Sequence, residues 1–401
     1  MKILIIHQNF PAQFNQLVQT LLAEEGHEII ALMQPPGKKI EGVGVLGYKY
    51  LNTPSEDTHP LLKELEAKTI RGEAVQEAAI RLKQKGWNPE VILGHPGWGE
   101  LLFIRDVWPK ARLVVYAEYY YRTQGQDLDF DPEFNELNRE TVNRMVFKNA
   151  VMLSAVSVAD RVYTPTLWQR DTFPKQFHKN IQVIHDGIDT EFFKPNPNAA
   201  ITIENKGVRL KKGDEIITYA ARALEPVRGI HTFLRALPEV LKKRPKAHVL
   251  IMGAEQASYG VEPTDFSSWQ QFMLNELGDK LDANRVHFTG FLPKETYLQA
   301  LQISKVHIYL TYPFILSWSM LEAMACGAVV IGSNTGPVID VLDESNGYLL
   351  DFFDSKKLSQ TIISELKSKK KNPRSEAGRQ TIIDNFNQKD SIVKLKKLIL
   401  N

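Results

Sequence analysis

Two arginines in the second half of the sequence have the type and spacing needed to bind a diphosphate. Arg222 and Arg228 occur in AARALEPVRGIHTF, directly after an apolar stretch that predicts a strand. Guanidinium groups make forked, charge-assisted hydrogen bonds to phosphate oxygens, so such a pair suits a diphosphate. Two surface arginines without a function would give the same pattern, and the pair alone does not decide between these interpretations.

A glutamate lies inside the otherwise apolar stretch LSWSMLEAMACG, which predicts a helix that begins near Ser317–Ser319. Serine is a favoured N-cap, and a helix start offers N–H groups and a partial positive charge to a phosphate. Glu322 follows about one turn later, where its carboxylate could accept two hydrogen bonds from a ribose diol. A glutamate on the solvent face of the helix is the alternative interpretation.

Alternating apolar strands and amphipathic helices predict the scaffold that positions these residues. The first half contains the apolar stretches KILIIH, EVILGH and RLVVYAE, and the alternation restarts with EIITYAAR and continues to VHIYLTY. Strands that alternate with helices predict parallel sheets covered on both faces. Such sheets bind ligands outside the carboxyl ends of their strands.

We therefore predict an α/β fold with two doubly wound Rossmann-like domains facing a central cleft. The chain has 401 residues, more than one hydrophobic core usually serves. The expected parts are an acceptor-side domain at 1–195, a linker at 196–213, a donor domain at 214–380, and a C-terminal helix at 381–401 that packs back on the first domain.

Composition excludes several classes of protein. Lys and Arg total 49 and Asp and Glu total 47, which is not the basic excess of a nucleic-acid-binding protein. Cys326 is the only cysteine, so neither an intramolecular disulfide nor a multi-cysteine metal site can form.

No apolar stretch reaches the roughly 18 residues of a membrane helix. We expect a cytoplasmic protein. The basic run KSKKKNPR at 367–374 predicts a solvated loop, and a peripheral contact with the inner face of a membrane stays open.

Two common nucleotide-binding motifs are absent from the sequence. HQNFPAQF follows the first strand, where a dehydrogenase with the usual fingerprint would have G-x-G-x-x-G. No G-x-x-x-x-G-K-[ST] occurs either, which excludes a P-loop.

The second half of the sequence resembles the donor site of the family-4 retaining glycosyltransferases, whose two Rossmann-like domains form the arrangement called GT-B. SWSMLEAMACGAVVIGSNTGPVIDVLDESNGYLL is similar to the family's Glu-Ala-Met-Ala-x-Gly segment with its following strand, turn and Asn-Gly-x-Leu. YAARALEPVRGI resembles the Gly-Arg-Leu…Lys-Gly segment, and IHDGIDTEFFKP resembles the entry to the hinge. RVHFTGFLPKETYLQAL resembles the strand and loop around the nucleotide base. The first half is similar mainly in architecture.

The resemblance implies a role for each matching residue. Arg222 and Arg228 would hold the donor diphosphate, with Arg228 standing where a lysine is usual, and Glu322 would bind the ribose hydroxyls. The other implied donor contacts are Gly229, the base-flanking loop Gly290, Phe291 and Leu292, and the helix start at Ser317, Trp318 and Ser319.

Two positions depart from the family pattern. The family's first glutamate would stand eight positions before Glu322, where this chain has Phe314, so the usual contact with the transferred sugar is absent or supplied elsewhere. We keep Phe314 among the expected donor contacts. In the first half, Glu118 stands near the family's usual histidine and could contact the sugar or be structural. His95 also follows a strand and could line the cleft, although a histidine there is often structural.

The resemblance implies a metal-independent, retaining transfer of a hexose from a UDP- or GDP-linked sugar to an acceptor hydroxyl. The expected catalytic residues are Arg222, Arg228, Glu322 and Glu118, without an identified protein nucleophile and without a cofactor besides the donor. The acceptor would be a glycan, a lipid-linked sugar or a small molecule, in bacterial glycan, glycolipid or metabolite glycosylation.

Three alternatives remain at this level. Asp127, Asp129 and Asp131 form two Asp-x-Asp strings that a metal-dependent transferase would need, although short acidic strings are common. A nucleotide-sugar epimerase would share the fold but need no acceptor. A catalytically lapsed, transferase-like binding subunit would explain Phe314, whereas the retained arginines and Glu322 argue against it.

Overall fold

The computed structural model describes residues 1–50, 52–135 and 137–401, and these residues form two compact units. Unit 1 comprises Met1–Asp129, Asn135–Gly187 and Lys389–Asn401. Unit 2 comprises Phe130–Phe134 and Ile188–Gln388.

Unit 1 alternates strands and helices from its first residues onward. Its strands are β1 (Lys2–Ile6), β2 (Glu28–Met33), β3 (Val43–Gly47), β4 (Val91–Gly94), β5 (Arg112–Tyr116), β6 (Arg161–Thr164) and β7 (Ile181–Val183). Its helices before the crossover to unit 2 are α1 (Asn15–Leu22), α2 (Lys63–Gln84), α3 (Ile104–Val107), α4 (Arg139–Val158) and α5 (Leu167–Thr172).

Unit 2 repeats the alternation after a short hairpin. Its strands are β8 (Ala200–Ile203), β9 (Val208–Lys211), β10 (Ile216–Ala223), β11 (His248–Ala254), β12 (Val286–Gly290), β13 (Val306–Tyr309), β14 (Val329–Ser333) and β15 (Tyr348–Leu350). The helices of the second half are α6 (Ile230–Lys243), α7 (Trp269–Leu277), α8 (Lys294–Ile303), α9 (Trp318–Ala325), α10 (Gly336–Ile339), α11 (Ser355–Lys367), α12 (Pro373–Asn385) and α13 (Gln388–Leu400).

Both large sheets are parallel, and each reverses its strand order beside its first long strand. The order is β3-β2-β1-β4-β5-β6-β7 in unit 1 and β12-β11-β10-β13-β14-β15 in unit 2. The order therefore reverses between β1 and β4 and between β10 and β13. At such a switch point the loops diverge, leaving a crevice at the carboxyl edge where ligands bind. This architecture confirms the prediction of two doubly wound α/β domains.

The central strands are apolar along their whole length because helices cover both faces of each sheet. Ile3–Ile6 in β1 are fully buried, as are Val306 and Ile308 in β13. Helix α6 buries Phe233 and Leu237 completely against its sheet. These cores hold the carboxyl ends of the strands in fixed register, which is what positions the polar residues that follow them.

Two expected domain boundaries differ from the structure. Residues 196–213, expected as a linker, contain the antiparallel pair β8 and β9, whose Ile201 and Leu210 lie in the core of unit 2. The alternating apolar residues of AITI and VRLK explain this hairpin. Residues 130–134, expected within the first domain, belong to unit 2.

The C-terminal helix α13 packs in the hydrophobic core of unit 1. Leu395, Leu398 and Ile399 are at most 5% exposed and share a cluster with Ile3, Ile5 and other residues of that unit. Arg112 donates to the carbonyl of Ile399 at 3.0 Å. Within the described residues, every helix is too short or too polar to span a membrane.

We predict that Leu398→Ala lowers the free energy of unfolding of unit 1 by about 2–5 kcal/mol, because it deletes buried methyl groups from that core. Val393→Ala, on the same helix but 67% exposed, is the matched control and should change stability by less than about 0.5 kcal/mol. Urea unfolding with hydrogen exchange of the β1 amides measures both. Equal effects from the two substitutions would show that the packing of α13 does not stabilise unit 1.

Candidate functional site

Arg228 is buried at the switch point of unit 2, in a short 3-10 turn that follows β10. Its Nη1 donates to Thr311 Oγ1 at 2.9 Å, to the carbonyl of Ile315 at 2.8 Å, and to Tyr309 Oη at 3.4 Å. All three partners are neutral. Among the described residues, no carboxylate lies within ion-pair distance of this guanidinium. The Glu225 carboxylate attracts the guanidinium only from beyond ion-pair distance. Within the described residues, Nε and Nη2 of Arg228 have no hydrogen-bond partner and are the groups that a ligand could use.

The hydroxyl of Tyr309 connects this arginine to the start of helix α9. The amide of Ser317 donates to Tyr309 Oη at 2.7 Å, the same oxygen that Arg228 approaches. Ser317 caps α9 by accepting from the amide of Ser319 at 3.4 Å, and Ser319 Oγ donates to the carbonyl of Ala220 in β10 at 2.9 Å. The helix start and Arg228 therefore meet at one edge of the sheet. The Ser317 amide, expected to bind phosphate, already has an internal partner.

A fully buried glutamate, Glu225, binds the loop that carries Tyr259 to the side of Arg228. The carboxylate of Glu225 accepts the amides of Ser258, Tyr259 and Gly260 at 2.8–3.3 Å. This places the ring of Tyr259 with its centroid 5.4 Å from the Arg228 guanidinium carbon. A cation over an aromatic face is stabilised by the ring quadrupole.

Phe314 lies on the same guanidinium, at the position where the resemblance implies a glutamate. Its ring centroid is 5.6 Å from the guanidinium carbon, and it contacts Tyr259 edge-on at 5.0 Å. Phe314 is only 3% exposed. Where the resemblance implies a carboxylate, this chain has an apolar ring. The ring packs on the Arg228 guanidinium and orients it without neutralising its charge.

Gly229 has a backbone reason to be glycine. Its φ is +69°, and a Cβ there would lie 2.4 Å from Cβ of Leu310. Any side chain would therefore push the Arg228 turn away from Leu310, the first residue after β13. Arg222, in contrast, is exposed near the end of β10. The structure thus brings both predicted arginines to one edge but buries only one of them.

Glu322 lies on α9, and its carboxylate is half-buried rather than solvated. Its Oε2 accepts from the Tyr297 hydroxyl of α8 at 2.7 Å. Burial raises the pKa of Glu322 to about 7, while the Tyr297 hydroxyl and Lys294 act in the opposite direction. The group is therefore poised to change its charge near neutral pH.

The loop expected to flank the base begins at the end of β12. Gly290 has a φ of +63° and Phe291 is 71% exposed, while Leu292 packs against the core of unit 2. Trp318, in the first turn of α9, is 41% exposed. Two large aromatic surfaces at the carboxyl edge are thus accessible to a planar ligand.

The segment Phe130–Phe134 packs beside the Arg228 site within unit 2. Asp131 accepts from the Tyr312 hydroxyl and lies 3.3 Å from His231 Nε2. Burial alone would raise the pKa of Asp131, but contacts with His231, Tyr312 and the Glu133 amide bring it below its ordinary value. Tyr312 in turn donates its amide to the carbonyl of Val227 at 3.0 Å, next to Arg228.

The Asp-x-Asp strings do not converge on one point. Asp127 accepts from Tyr119 at 3.0 Å, Asp129 accepts the amides of Gly125 and Gln126, and Asp131 lies in the other unit. In the described parts of the chain, no cluster of three or more His, Cys, Asp or Glu has metal-binding geometry.

The switch point of unit 1 has a different chemistry. His95 accepts the amide of Gly97 on Nδ1 at 3.0 Å, so its Nε2 carries the proton toward Glu118, 3.2 Å away. Burial, and then the charge of His95, lower the pKa of His7 to about 3. Trp98 stacks on His95 with centroids 4.4 Å apart. The two predicted residues His95 and Glu118 therefore form a pair at the carboxyl edge of β4 and β5.

Several residues of the two edges were not predicted from the sequence. In unit 2 these are Glu225, Tyr259, Tyr297, Tyr309 and Thr311, and in unit 1 His7. Asp131 was considered only as a metal ligand in an Asp-x-Asp string, and not as the partner of Tyr312. A usable signal existed for two of them, because Tyr309 and Thr311 are polar residues at the carboxyl end of an apolar strand, where α/β sheets bind ligands.

Two family models match this chain in succession. Residues 25–193 match the glycosyl transferase family 4 group, and residues 201–381 match the glycosyl transferases group 1. The first match lies mostly in unit 1 and the second lies wholly in unit 2.

Curated relatives are similar at low identity. An uncharacterized glycosyltransferase of Methanocaldococcus jannaschii is 23% identical over 292 residues, which cover 72% of this chain and 68% of that protein. A D-inositol 3-phosphate glycosyltransferase of Mycobacteroides abscessus is 25% identical over 199 residues, 49% of this chain and 42% of that one. The alignment thus spans less than half of the latter protein.

Solved structures share the fold over almost the whole chain. A sucrose-phosphate synthase from Thermosynechococcus elongatus has a TM-score of 0.72 at 16% identity, and Anabaena Alr3699/HepE, solved with UDP and glucose, has 0.66 at 16%. Each alignment covers 99% of this chain and 98% of the other. With the two consecutive family matches and the two doubly wound sheets, this establishes that the chain belongs to the family-4 glycosyltransferases of GT-B architecture.

Proposed function

We propose that this glycosyltransferase moves a hexose from a UDP- or GDP-linked sugar to an acceptor hydroxyl, with retention of configuration and without a metal. The single observation that carries the proposal is Arg228: a buried guanidinium, fixed through Nη1 by neutral oxygens, at the switch point of unit 2. Among the described residues this charge has no ion-pair partner, although the Glu225 carboxylate attracts it from a longer distance, and a diphosphate supplies negative charge in direct contact.

Transfer of the sugar requires stabilisation of the negative charge that develops on the leaving diphosphate. When the bond from the sugar to the phosphate breaks, negative charge develops on the diphosphate oxygens. Arg228 is a preorganised donor for that charge, and we expect the exposed Arg222 and the partial positive charge at the start of α9 to add to it. Preorganised donors stabilise a transition state more than a ground state. In this role they replace the metal ion that an Asp-x-Asp enzyme would use.

The remaining contacts divide between the two units. We assign the ribose hydroxyls to Glu322, whose Oε1 is not engaged by Tyr297, and the base to Phe291 and its loop. We assign His95 and Glu118 of unit 1 to the acceptor. Retention of configuration is what the resemblance to the family-4 retaining glycosyltransferases implies.

A catalytically lapsed binding subunit is the second candidate, and Phe314 is the observation that favours it. The aromatic side chain occupies the position of the family's sugar-contacting glutamate. Donor binding without turnover over a broad acceptor panel would favour that candidate. Conversion of the sugar nucleotide in the absence of any acceptor would instead favour an epimerase.

We predict that Arg228→Lys weakens donor binding by at least about tenfold, since lysine keeps the charge but loses the forked geometry. Calorimetry with UDP-glucose and GDP-mannose measures the affinity. Arg209→Lys, on the exposed face of β9, is the matched control and should bind as the wild type does. Unchanged affinity in an Arg228→Lys protein with normal thermal stability would mean that another group holds the diphosphate.

We predict that donor affinity rises between about pH 6 and pH 8 because Glu322, with a pKa of about 7, becomes a carboxylate with increasing pH and accepts ribose hydroxyls better. Glu322→Gln should bind more weakly at pH 8 and lose this pH dependence. Tyr297→Phe removes a hydrogen bond to the carboxylate, so the midpoint should move to higher pH. The intact sugar nucleotide is the ligand, because its diphosphate does not titrate in this range. A level wild-type profile would contradict the role of Glu322.

We predict that transfer continues at an unchanged rate in excess chelator, because the fixed cations neutralise the leaving group without a metal. The assay follows release of the nucleoside diphosphate with and without EDTA, and then with added Mg²⁺ or Mn²⁺. Inactivation by EDTA with recovery on adding a divalent ion would restore the metal-dependent alternative.

A further inference from the structure

A basic cavity of about 460 Å³ opens in unit 2 at the sheet edge opposite Arg228. It lies at the amino ends of the strands, since Lys212 precedes β10, Lys305 precedes β13, and Val329 begins β14. Strand β10 spans eight residues, so the two edges are roughly 25 Å apart. The cavity is therefore separate from the proposed donor site.

The lining of the cavity has more cations than carboxylates. Its cationic side chains are Lys212, Lys305, Lys370, Lys371 and Arg379, and its carboxylates are Glu365 and Glu376. Glu376 is paired with Lys371, while Glu365 accepts from Tyr348 and Asn372. Over the residues that the structure describes, neither carboxylate, nor any other, lies within ion-pair distance of the remaining four cations.

Three of these cations instead contact the carbonyl ends of helices. Lys212 Nζ donates to Ser304 at the end of α8 at 3.2 Å, and Arg379 donates to Ala325 at the end of α9. Lys305 Nζ donates to Leu366 and Ser368 at the end of α11, at 2.9 and 2.7 Å. A helix terminus carries only about half a negative charge, so each full positive charge is not cancelled.

The positive charges are also partly removed from water. Lys212, Lys305 and Arg379 are half-buried. Burial lowers the pKa of Lys212. Burial also lowers the pKa of Lys305, although the negative charges of Glu215 and Glu365 act to raise it. Half-buried ammonium groups whose only hydrogen-bond partners are carbonyls favour an anion that brings both charge and acceptors. Each lysine still has at least one N–H for that anion.

We propose that this cavity is a second ligand site, which binds a phosphate-bearing compound through Lys212, Lys305, Lys370 and Arg379. The volume admits a small organic phosphate. A phosphate group can come from a soluble compound or from a lipid headgroup, and both have the chemistry that these donors recognise.

Lys370 and Lys369 provide a matched pair of variants, because both are exposed in the same basic run but only Lys370 lines the cavity. To keep the proposed donor site from contributing, inorganic pyrophosphate is titrated calorimetrically into the full chain carrying Arg228→Lys, and we expect the same affinity with and without an added Lys369→Gln. In the same background, Lys370→Gln should bind several-fold more weakly, and Lys212→Gln at least about tenfold more weakly. Thermal melting checks that each variant is folded.

Vesicles distinguish the two sources of phosphate. If the ligand is a lipid headgroup, the protein should co-sediment with phosphatidic acid vesicles and not with phosphatidylcholine vesicles. Lys370→Gln should then lose this co-sedimentation, and Lys369→Gln should keep it. Pyrophosphate binding without co-sedimentation would support the site with a soluble ligand. Absence of both, or equal losses in Lys369→Gln and Lys370→Gln, would overturn the proposal and leave the cations as helix caps only.

Discussion

The buried Arg228 guanidinium is the constraint on which the rest of the donor-side edge depends. A charge removed from water is costly unless its surroundings supply hydrogen bonds or an opposite charge. Here Thr311, Tyr309 and the Ile315 carbonyl supply only neutral oxygens, and two aromatic rings supply their faces. A carboxylate in direct contact would make the site less selective for an anion, and the neutral contacts of Arg228 avoid that loss.

The buried charge is kept in place by contacts that come from distant parts of the chain. Glu225 holds the loop that bears Tyr259, and the Tyr219 hydroxyl donates to the carbonyl of Arg228 at 2.8 Å. From further away, Asp131 binds the Tyr312 hydroxyl, and Tyr312 binds Val227. A disturbance in the 130–134 segment would thus reach the residue next to the arginine through two hydrogen bonds.

Local patterns predicted much of this fold, but they did not predict which arginine is buried. Arg222 and Arg228 have the same residue type and similar neighbours, yet β10 exposes the first and the 3-10 turn buries the second. The burial of Arg228 depends on the loop after β13, about 80 residues later, because Thr311 in that loop accepts a hydrogen bond from its guanidinium. Periodicity reports one segment at a time, so the strands and α9 were predictable. The position of residues 130–134 in unit 2 was not, since it rests on long-range contacts of Asp131 and Phe134.

The two switch points differ in charge, and this difference decides which part of a reaction each can serve. The edge of unit 2 presents a helix start and a guanidinium that has no ion-pair partner among the described residues, and both suit an anion. The edge of unit 1 presents the carboxylate of Glu118 and a His7 that stays neutral above about pH 3, and these would repel a diphosphate or leave it without donors. A carboxylate hydrogen-bonded to a histidine instead accepts a hydrogen bond from a neutral hydroxyl. On charge alone, the edge of unit 2 is therefore the better match for an anion, and the edge of unit 1 is the better match for a neutral hydroxyl.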